Sequence, residues 1–183
     1  MSTNGNTSNL GFRAMALWLR IREMFSDPQQ RLADAGLQPG QVVLDYGCGV
    51  GSYALPAARI VVDGGKVYAL DLHPLAIETV ERRAQKAHLA NVETIESDLD
   101  TGLGTASVDV VLLYDVLHGV QDKQALLQEL HRVLKPQGGL SVCPDHMTVD
   151  ELLAIMDRGK RFALQEQHRE TLEFSKHGEE QAA

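Results

Sequence analysis

The sequence predicts an α/β fold with a doubly wound sheet, in which mostly parallel strands are covered by helices on both faces. Short apolar runs typical of buried strands alternate with longer segments whose apolar residues recur every three to four positions, as along one face of a helix. The run 108–114 is apolar at every position except Asp109, as expected of a strand buried on both faces of a parallel sheet. Glycine and proline separate many of these segments, which indicates short turns.

The expected elements follow one another in a regular order. Strands are expected at 42–45, 66–71, 92–95, 108–114, 140–143, 162–167 and 170–175. Helices are expected at 52–62, at 74–89, between a cap at Asp122 and a stop at Pro136, and at 149–158. The last two strands flank His168 and Arg169 and alternate in polarity, which favours an antiparallel hairpin at the end of the chain.

The composition is that of one globular domain, with 183 residues, 44% hydrophobic and 23% charged. A formal net charge of -8 argues against nucleic acid as a partner, because phosphate backbones are bound chiefly by clustered lysine and arginine. Two cysteines make no disulfide framework, and no apolar run approaches the roughly 20 residues that span a bilayer. Without a signal-peptide pattern at the start, we expect a cytoplasmic location.

The chain divides into a short tail, one domain and a second short tail. Residues 1–11 are small and polar and predict a disordered tail, 12–177 a single domain, and 178–183 a frayed end. A helical pattern covers 12–36, and the Asp27-Pro28 pair interrupts it, since proline suits a first helical turn that aspartate caps.

The apolar stripe of this N-terminal segment has three interpretations. Trp18 and Phe25 would pack in the core, or the helix would form a lid over a substrate, or it would lie on a membrane surface with its three arginines at the headgroups. Core packing is the plainest interpretation. The chain has no room for an inserted cap domain, so cover for a substrate would come from this helix, from short loops, or from the second subunit of a homodimer.

The stretch 42–53 carries the strongest functional signal. An apolar run leads into Asp45, and three glycines then alternate at Gly47, Gly49 and Gly51 before a helical pattern begins. This order predicts a buried strand, a tight turn and a helix start. Because glycine tolerates positive φ and carries no Cβ, a small molecule could approach the backbone of the turn.

A second carboxylate indicates an adenosine ligand. Asp71 ends the second apolar run at the distance from the glycine turn that is typical of a Rossmann-type unit, where such a residue accepts both hydroxyls of a ribose. A dinucleotide site would carry its third glycine where Ser52 stands, which disfavours NAD. The charge of Asp45 would repel a pyrophosphate but suits an ammonium or a sulfonium. These features favour S-adenosyl-L-methionine.

With these motifs and the turn at Lys135-Pro136-Gln137-Gly138-Gly139, the chain resembles the class I S-adenosylmethionine-dependent methyltransferases over about 37–176. It is most similar to the branch that includes the ubiquinone and menaquinone C-methyltransferases. The resemblance implies a Rossmann-like seven-stranded sheet of order 3-2-1-4-5-7-6 with the last strand antiparallel, and methyl transfer to a small molecule. Eleven residues would contact the cofactor: Asp45, Gly47, Cys48, Gly49, Gly51, Tyr53, Asp71, Leu72, Asp98, Leu99 and Tyr114.

The candidate catalytic residues are Asp115, His118 and His146. Asp115 and His118 directly follow the buried run 108–114, and the carboxyl ends of parallel strands line the ligand crevice in this fold. A general base is required only if the acceptor must lose a proton, and histidine suits that role near neutral pH. The plainer interpretation of each histidine is a structural one. No paired ligand spacing typical of a zinc site occurs around Cys143 and His146, so no metal is expected.

Two other classes of function compete with methyl transfer. A binding or regulatory protein could keep the S-adenosylmethionine site without turnover, since the same glycines and carboxylates would serve it. An NAD-dependent oxidoreductase is disfavoured by Ser52. The segment after the fourth strand lacks the Pro-Pro-aromatic signature of the nucleic-acid amino-methyltransferases that the resemblance includes, which favours a small-molecule acceptor.

Overall fold

The computed structural model describes residues 28–62, 64–144 and 146–177, and within them it forms one seven-stranded sheet flanked by helices. The strands are β1 Val42–Tyr46, β2 Lys66–Asp71, β3 Val92–Glu96, β4 Val108–Tyr114, β5 Leu134–Cys143, β6 Phe162–Gln167 and β7 Leu172–Lys176. The helices are α1 Pro28–Asp34, α2 Ala54–Val61, α3 Pro74–Lys86, α4 Lys123–Val133 and α5 Val149–Gly159, with a 3₁₀ turn at Leu117–Gly119. None of these helices is long and apolar enough to cross a membrane.

The strand order is β3-β2-β1-β4-β5-β7-β6, which confirms the predicted topology. Strands β1 to β5 pair in parallel, whereas β7 runs antiparallel to both of its neighbours, β5 and β6. The carboxyl ends of β1, β2 and β4 therefore meet at one edge of the sheet, where a ligand crevice is expected.

Both faces of the sheet are buried, as the apolar runs predicted. Val43 lies in a cluster with apolar side chains of α1, α2 and α3, whereas the next residue, Leu44, lies in a cluster with side chains of α4 and α5. Because successive side chains of a strand point to opposite faces, each central strand contributes to both clusters. This arrangement confirms the doubly wound fold.

The largest boundary error concerns β5, which begins at Leu134 instead of residue 140. Leu134 pairs with Val108, and the register then shifts so that Gly139 pairs with Val110. The extra residues form a bulge beside Asp109, whose carboxylate accepts hydrogen bonds from Lys135 Nζ at 2.8 Å. The turn that was predicted to stop α4 is therefore part of a strand, with Gly138 in the bulge and Gly139 paired with Val110.

Other boundaries differ by one to three residues. The last strand begins at Leu172 instead of residue 170, because the backbone N–H of His168 donates to the carbonyl of Thr171 at 2.8 Å and closes a four-residue turn. Helix α2 begins at Ala54, since residues 51–53 still belong to the turn. Helix α3 ends at Lys86, and His88 adopts a positive φ of 55°.

The predicted helix caps are confirmed where the structure describes them. Asp122 accepts a hydrogen bond from the backbone N–H of Ala125 at 2.9 Å and so caps α4. Pro28 opens α1 as expected. The predictions for residues 1–27, which include the tail, the Asp27 cap and the lid, lie outside the described residues, as does the frayed end at 178–183.

Candidate functional site

The glycine turn is attached to the end of β2 by its backbone. The N–H groups of Gly47 and Cys48 both donate to the carbonyl of Leu70 at 2.8 Å, and the N–H of Gly51 donates to the carbonyl of Cys48 at 2.8 Å. The three glycines have φ angles of 80°, 53° and 84°, in the left-handed region that side chains rarely adopt. The turn is therefore one that glycine specifies.

Two of the glycines make room for protein side chains. A Cβ at Gly47 would lie 2.7 Å from Cγ2 of Val116, and a Cβ at Gly51 would lie 3.2 Å from Cγ2 of Val80. The sequence argument attributed the missing Cβ atoms to the approach of a ligand. For these two glycines the space is filled from within the protein, so any contact with a cofactor would use their backbone. For Gly49 the ligand interpretation stays a prediction.

Asp71 lies behind the turn and holds it in place. Its Oδ2 accepts a hydrogen bond from the N–H of Gly49 at 2.9 Å, and its Oδ1 accepts one from the N–H of His73 at 2.9 Å. A carboxylate oxygen has two acceptor positions, so each oxygen can also accept a ligand hydroxyl. Leu72, the next residue, is 53% exposed, so its side chain is accessible for contact with a flat ring.

Asp45 is the most perturbed carboxylate of the site. It is only 2% exposed, and its Oδ2 is buried without a hydrogen-bond partner in the part of the chain that the structure describes. Burial raises the pKa of Asp45 to about 7; a hydrogen bond from the backbone N–H of Ala54 opposes this shift, and the negative charge of Asp71 adds to it. Because buried carboxylate oxygens are rarely left unpaired, this atom fits a cationic ligand group.

The loop after β3 carries the predicted adenine contacts. Asp98 has an exposed side chain, and its carbonyl accepts a hydrogen bond from the hydroxyl of Tyr46 at 2.5 Å. The half-buried Leu99 packs against the core, and the N–H of Ser97 donates to the carbonyl of Asp71 at 3.1 Å. Sequence reasoning missed Tyr46, although a tyrosine in a buried strand signals that its hydroxyl needs a partner.

Tyr53 and Tyr114 contact each other edge to face. Their ring centroids are 4.7 Å apart at an interplanar angle of 73°. The Tyr53 hydroxyl accepts a hydrogen bond from Nη1 of Arg31 at 2.6 Å, and the Tyr114 hydroxyl lies 2.7 Å from Oγ of Ser141. Burial is the largest cause that raises the pKa of Tyr114. Its hydroxyl is therefore used inside the protein, whereas the partly exposed Tyr53 remains the better ligand contact. Arg31 was also missed by sequence reasoning.

Cys48 is a buried thiol within the turn. Burial raises its pKa well above the ordinary value, and the charges of Asp45 and Asp71 raise it further. The thiol therefore stays protonated at neutral pH and is a poor nucleophile. Cys48 is thus a small buried residue of the turn, only 5% exposed.

The structure brings the three predicted catalytic residues together beyond β4 and β5. Nε2 of His146 lies 3.5 Å from Oδ1 of Asp115, and the His118 and His146 ring centroids are 4.8 Å apart. His146 is 68% exposed. Asp115 and His146 both have positive φ angles, 62° and 66°, which are strained for non-glycine residues and are frequent at functional sites. No group of three metal-ligating side chains occurs within residues 28–62, 64–144 and 146–177.

Comparisons with known proteins identify a family for most of the chain. Residues 37–178 match a family described as a methyltransferase domain. A 2-phytyl-1,4-naphtoquinone methyltransferase from Nostoc sp. strain PCC 7120 is 32% identical over 131 residues, which cover 70% of this chain and 57% of that protein. A demethylmenaquinone methyltransferase from Geobacillus kaustophilus is 33% identical over 108 residues, which cover 58% of this chain and 46% of that protein.

A solved structure shares the fold over most of the chain. The structure of a SAM dependent methyltransferase from Aquifex aeolicus has a TM-score of 0.71 at 25% sequence identity, with 82% of this chain and 88% of that chain covered. The curated relatives named above are longer, and the chain spans about half of their length. Since the matched family covers most of the sequence and the strand order agrees, the chain belongs to the methyltransferase domain family.

Proposed function

We propose that this protein transfers a methyl group from S-adenosyl-L-methionine to a small-molecule acceptor. The observation that carries the proposal is the buried Oδ2 of Asp45, which has no hydrogen-bond partner among the described residues. It lies beside the glycine turn, whose Gly49 N–H donates to Asp71. An ammonium or sulfonium group of the ligand would form an ion pair with that carboxylate, whereas the pyrophosphate of a dinucleotide would be repelled by it.

Each part of the cofactor has a matching group in the site. Asp45 would face the amino group, Asp71 would accept the ribose hydroxyls, and Leu72, Asp98 and Leu99 would contact adenine. The remaining proposed contacts surround the methionine part and are Gly47, Cys48, Gly49, Gly51, Tyr53 and Tyr114. The bound cofactor supplies an electrophilic methyl group. The protein then has to align the acceptor and exclude water, and this can lower the barrier by about 7–11 kcal/mol.

We assign proton transfer to the cluster beyond β4 and β5. His146 would accept a proton from the acceptor, and Asp115 would orient the imidazole and stabilise its charged form, since their side chains lie 3.5 Å apart. His118 contacts the His146 ring and would help to position it. This assignment requires an acceptor that carries an ionisable proton, such as a hydroxyl group on an aromatic ring.

The acceptor class to test first is a naphthoquinone-type ring in its reduced, hydroxylated form. The names of the curated relatives support this choice, and the exposed histidines are compatible with a ring hydroxyl. A ring carbon is nucleophilic in the hydroquinone, because a deprotonated hydroxyl donates electron density to it, and it is electrophilic in the quinone. A cytoplasmic location and a homodimer remain predictions from the sequence.

The first experiment is calorimetry of the purified full chain with S-adenosylmethionine, S-adenosylhomocysteine and NAD. Micromolar binding of the two adenosyl compounds without binding of NAD is the expected result, and binding of NAD alone would refute the proposal. Labelled methyl transfer to 1,4-naphthohydroquinone then separates an enzyme from a binding protein. Cofactor binding without turnover on this acceptor and on amine and thiol acceptors would favour a non-catalytic, regulatory role.

A further inference from the structure

The segment 97–107 between β3 and β4 lacks helix and strand, yet several side chains fix its backbone. At its start, the hydroxyl of Tyr46 donates to the carbonyl of Asp98 at 2.5 Å. Tyr46 ends β1, is 3% exposed, and reaches the segment from the interior of the sheet. The backbone of Asp98 is thus tied to the strand that leads into the glycine turn.

Glu129 on α4 fixes the middle of the segment. Its Oε1 accepts hydrogen bonds from the N–H of Thr101 at 3.1 Å and from the Thr101 hydroxyl at 2.6 Å. Thr101 is only 1% exposed, although it lies in an irregular segment. A buried polar residue that is fully paired with a carboxylate holds its backbone in one position.

Arg132 fixes the segment further along and also fixes Glu129. Its Nη2 donates to the carbonyl of Leu103 at 2.9 Å and to Oε1 of Glu129 at 2.7 Å, while its Nε donates to Oε2 of Glu129 at 2.7 Å. Hydrogen bonds from Arg132 are the largest cause that lowers the pKa of Glu129 to about 2, so the pair stays charged above pH 3. A two-point arginine–carboxylate contact restricts orientation as well as distance.

We propose that Tyr46, Glu129 and Arg132 are positioning residues that hold Asp98 and Leu99 against the adenine ring and thereby set the selectivity of the site for adenine. The inference rests on the proposed function, in which Asp98 contacts the adenine amino group. An exposed loop residue would otherwise lose conformational freedom on binding, and anchoring the loop beforehand removes that loss. The anchors come from β1 and α4, and none of the three side chains needs to touch the cofactor.

Selectivity follows from the chemistry of the base. Adenine presents an amino group that donates to a carboxylate, whereas hypoxanthine presents an oxygen at the same position, which a carboxylate repels. A site whose carboxylate accepts a hydrogen bond from the ligand's amino group rejects an analogue without that amino group, provided that the carboxylate is held in place. A mobile Asp98 could move away from the hypoxanthine oxygen. Releasing the loop should therefore reduce the difference in affinity between the adenine and the hypoxanthine ligand.

The test compares the affinities of S-adenosylhomocysteine and S-inosylhomocysteine for the full-length protein by calorimetry. We expect the wild type to prefer the adenosyl compound by about tenfold to hundredfold. Tyr46→Phe and Glu129→Gln should each reduce this ratio by at least about threefold, chiefly through weaker binding of the adenosyl compound. The matched control is Glu93→Gln, which removes the exposed ion pair between Lys66 on β2 and Glu93 on β3, 2.9 Å apart. It should leave the affinity ratio unchanged.

A general loss of structure would weaken both ligands equally and leave their ratio unchanged, and that result would overturn the inference. Asp98→Asn supplies the second measurement, since combining it with Tyr46→Phe should reduce the ratio no further than Asp98→Asn alone. If Tyr46→Phe does not fold, Glu129→Gln decides the question, because Glu129 lies on the surface helix α4. A wild type that binds neither compound would refute the proposed function itself, whereas equal binding of both would refute the adenine role of Asp98 and the inference with it.

Discussion

Binding of the cofactor at Asp45 should release a proton near neutral pH. In the free protein the pKa of Asp45 is raised to about 7, chiefly by burial, so about half of the carboxyl groups are protonated at pH 7. An ammonium group binds much more tightly to the ionised form than to the neutral one. Ligand binding must therefore displace the proton from the half that carries one, and the affinity should rise with pH over this range.

The magnitude follows from the fraction ionised. With a pKa of about 7, roughly a tenth of Asp45 is ionised at pH 6 and roughly nine tenths at pH 8, so the affinity should fall by about tenfold from pH 8 to pH 6. About 0.9 protons should be released per ligand at pH 6, about 0.5 at pH 7 and about 0.1 at pH 8. S-adenosylhomocysteine is the suitable ligand, because its amino group remains an ammonium across this range.

The assay is calorimetry at the three pH values in buffers of different ionisation enthalpy, which reports the number of protons released. Asp45→Asn keeps an acceptor for the N–H of Ala54 but cannot ionise, so it should lose both the pH dependence and about tenfold to hundredfold in affinity. His146→Asn is the control, since it removes an exposed histidine of the candidate site and should leave the proton release intact. Constant affinity from pH 6 to pH 8 without proton release would refute the assignment of the ammonium to Asp45.

Four further outcomes are expected. Asp45→Asn should raise the free energy of unfolding of the free protein at pH 8 by up to about 4 kcal/mol in chemical denaturation. The pKa of Asp45 is higher in the folded protein than in the unfolded chain, so ionisation of Asp45 destabilises the fold as pH rises from 3.8 to about 7. An unchanged denaturation midpoint would contradict this. Asp71→Ala should weaken S-adenosylhomocysteine binding by about tenfold to hundredfold, whereas unchanged affinity would exclude the ribose role. Gly49→Val should abolish binding in a protein that still unfolds cooperatively, with Gly104→Ala as the control that retains it, because a Cβ at Gly104 meets only Ser107 Cβ at 3.9 Å. His146→Asn should lower kcat by about a hundredfold on a hydroquinone and leave cofactor affinity within about twofold, and a loss confined to KM would argue against proton transfer.

The elements that sequence reasoning placed best are those with a strong local pattern. The bounds of β2 and β4 were predicted to the residue, because their apolar runs begin and end sharply, and the Asp122 cap follows from one side chain and its own helix. The start of β5 could not be predicted. Its bulge depends on Lys135 contacting Asp109, a contact between residues on neighbouring strands that no local pattern encodes.

The site was predicted in outline, and its supporting contacts were not. Asp45, Asp71 and the glycine turn lie together as expected, since motif spacing fixes their places on β1 and β2. The hydroxyl of Tyr46 donates to a carbonyl 52 residues away, and Arg31 on α1 donates to the hydroxyl of Tyr53, 22 residues further along the chain. Such pairs depend on how the chain folds back on itself. The positive φ of Asp115 and His146 is equally invisible in the sequence, although it marks the strand ends where chemistry is proposed.

The two carboxylates on β1 and β2 give a physical reason for the choice of ligand. Asp45 lies one residue before the end of β1, and Asp71 ends the neighbouring parallel strand β2. The charge of Asp71 is one of the causes that raise the pKa of Asp45. The free site therefore holds repulsion that a bound cation relieves and that a bound anion increases. A nicotinamide dinucleotide would bring two phosphates to the turn, whereas S-adenosylmethionine brings an ammonium and a sulfonium against a single carboxylate. Burial and, to a smaller extent, repulsion from Asp71 make the ionised Asp45 costly in the free protein, and a bound ammonium group offsets both effects. The stability gained by Asp45→Asn and the affinity it loses therefore have one electrostatic origin.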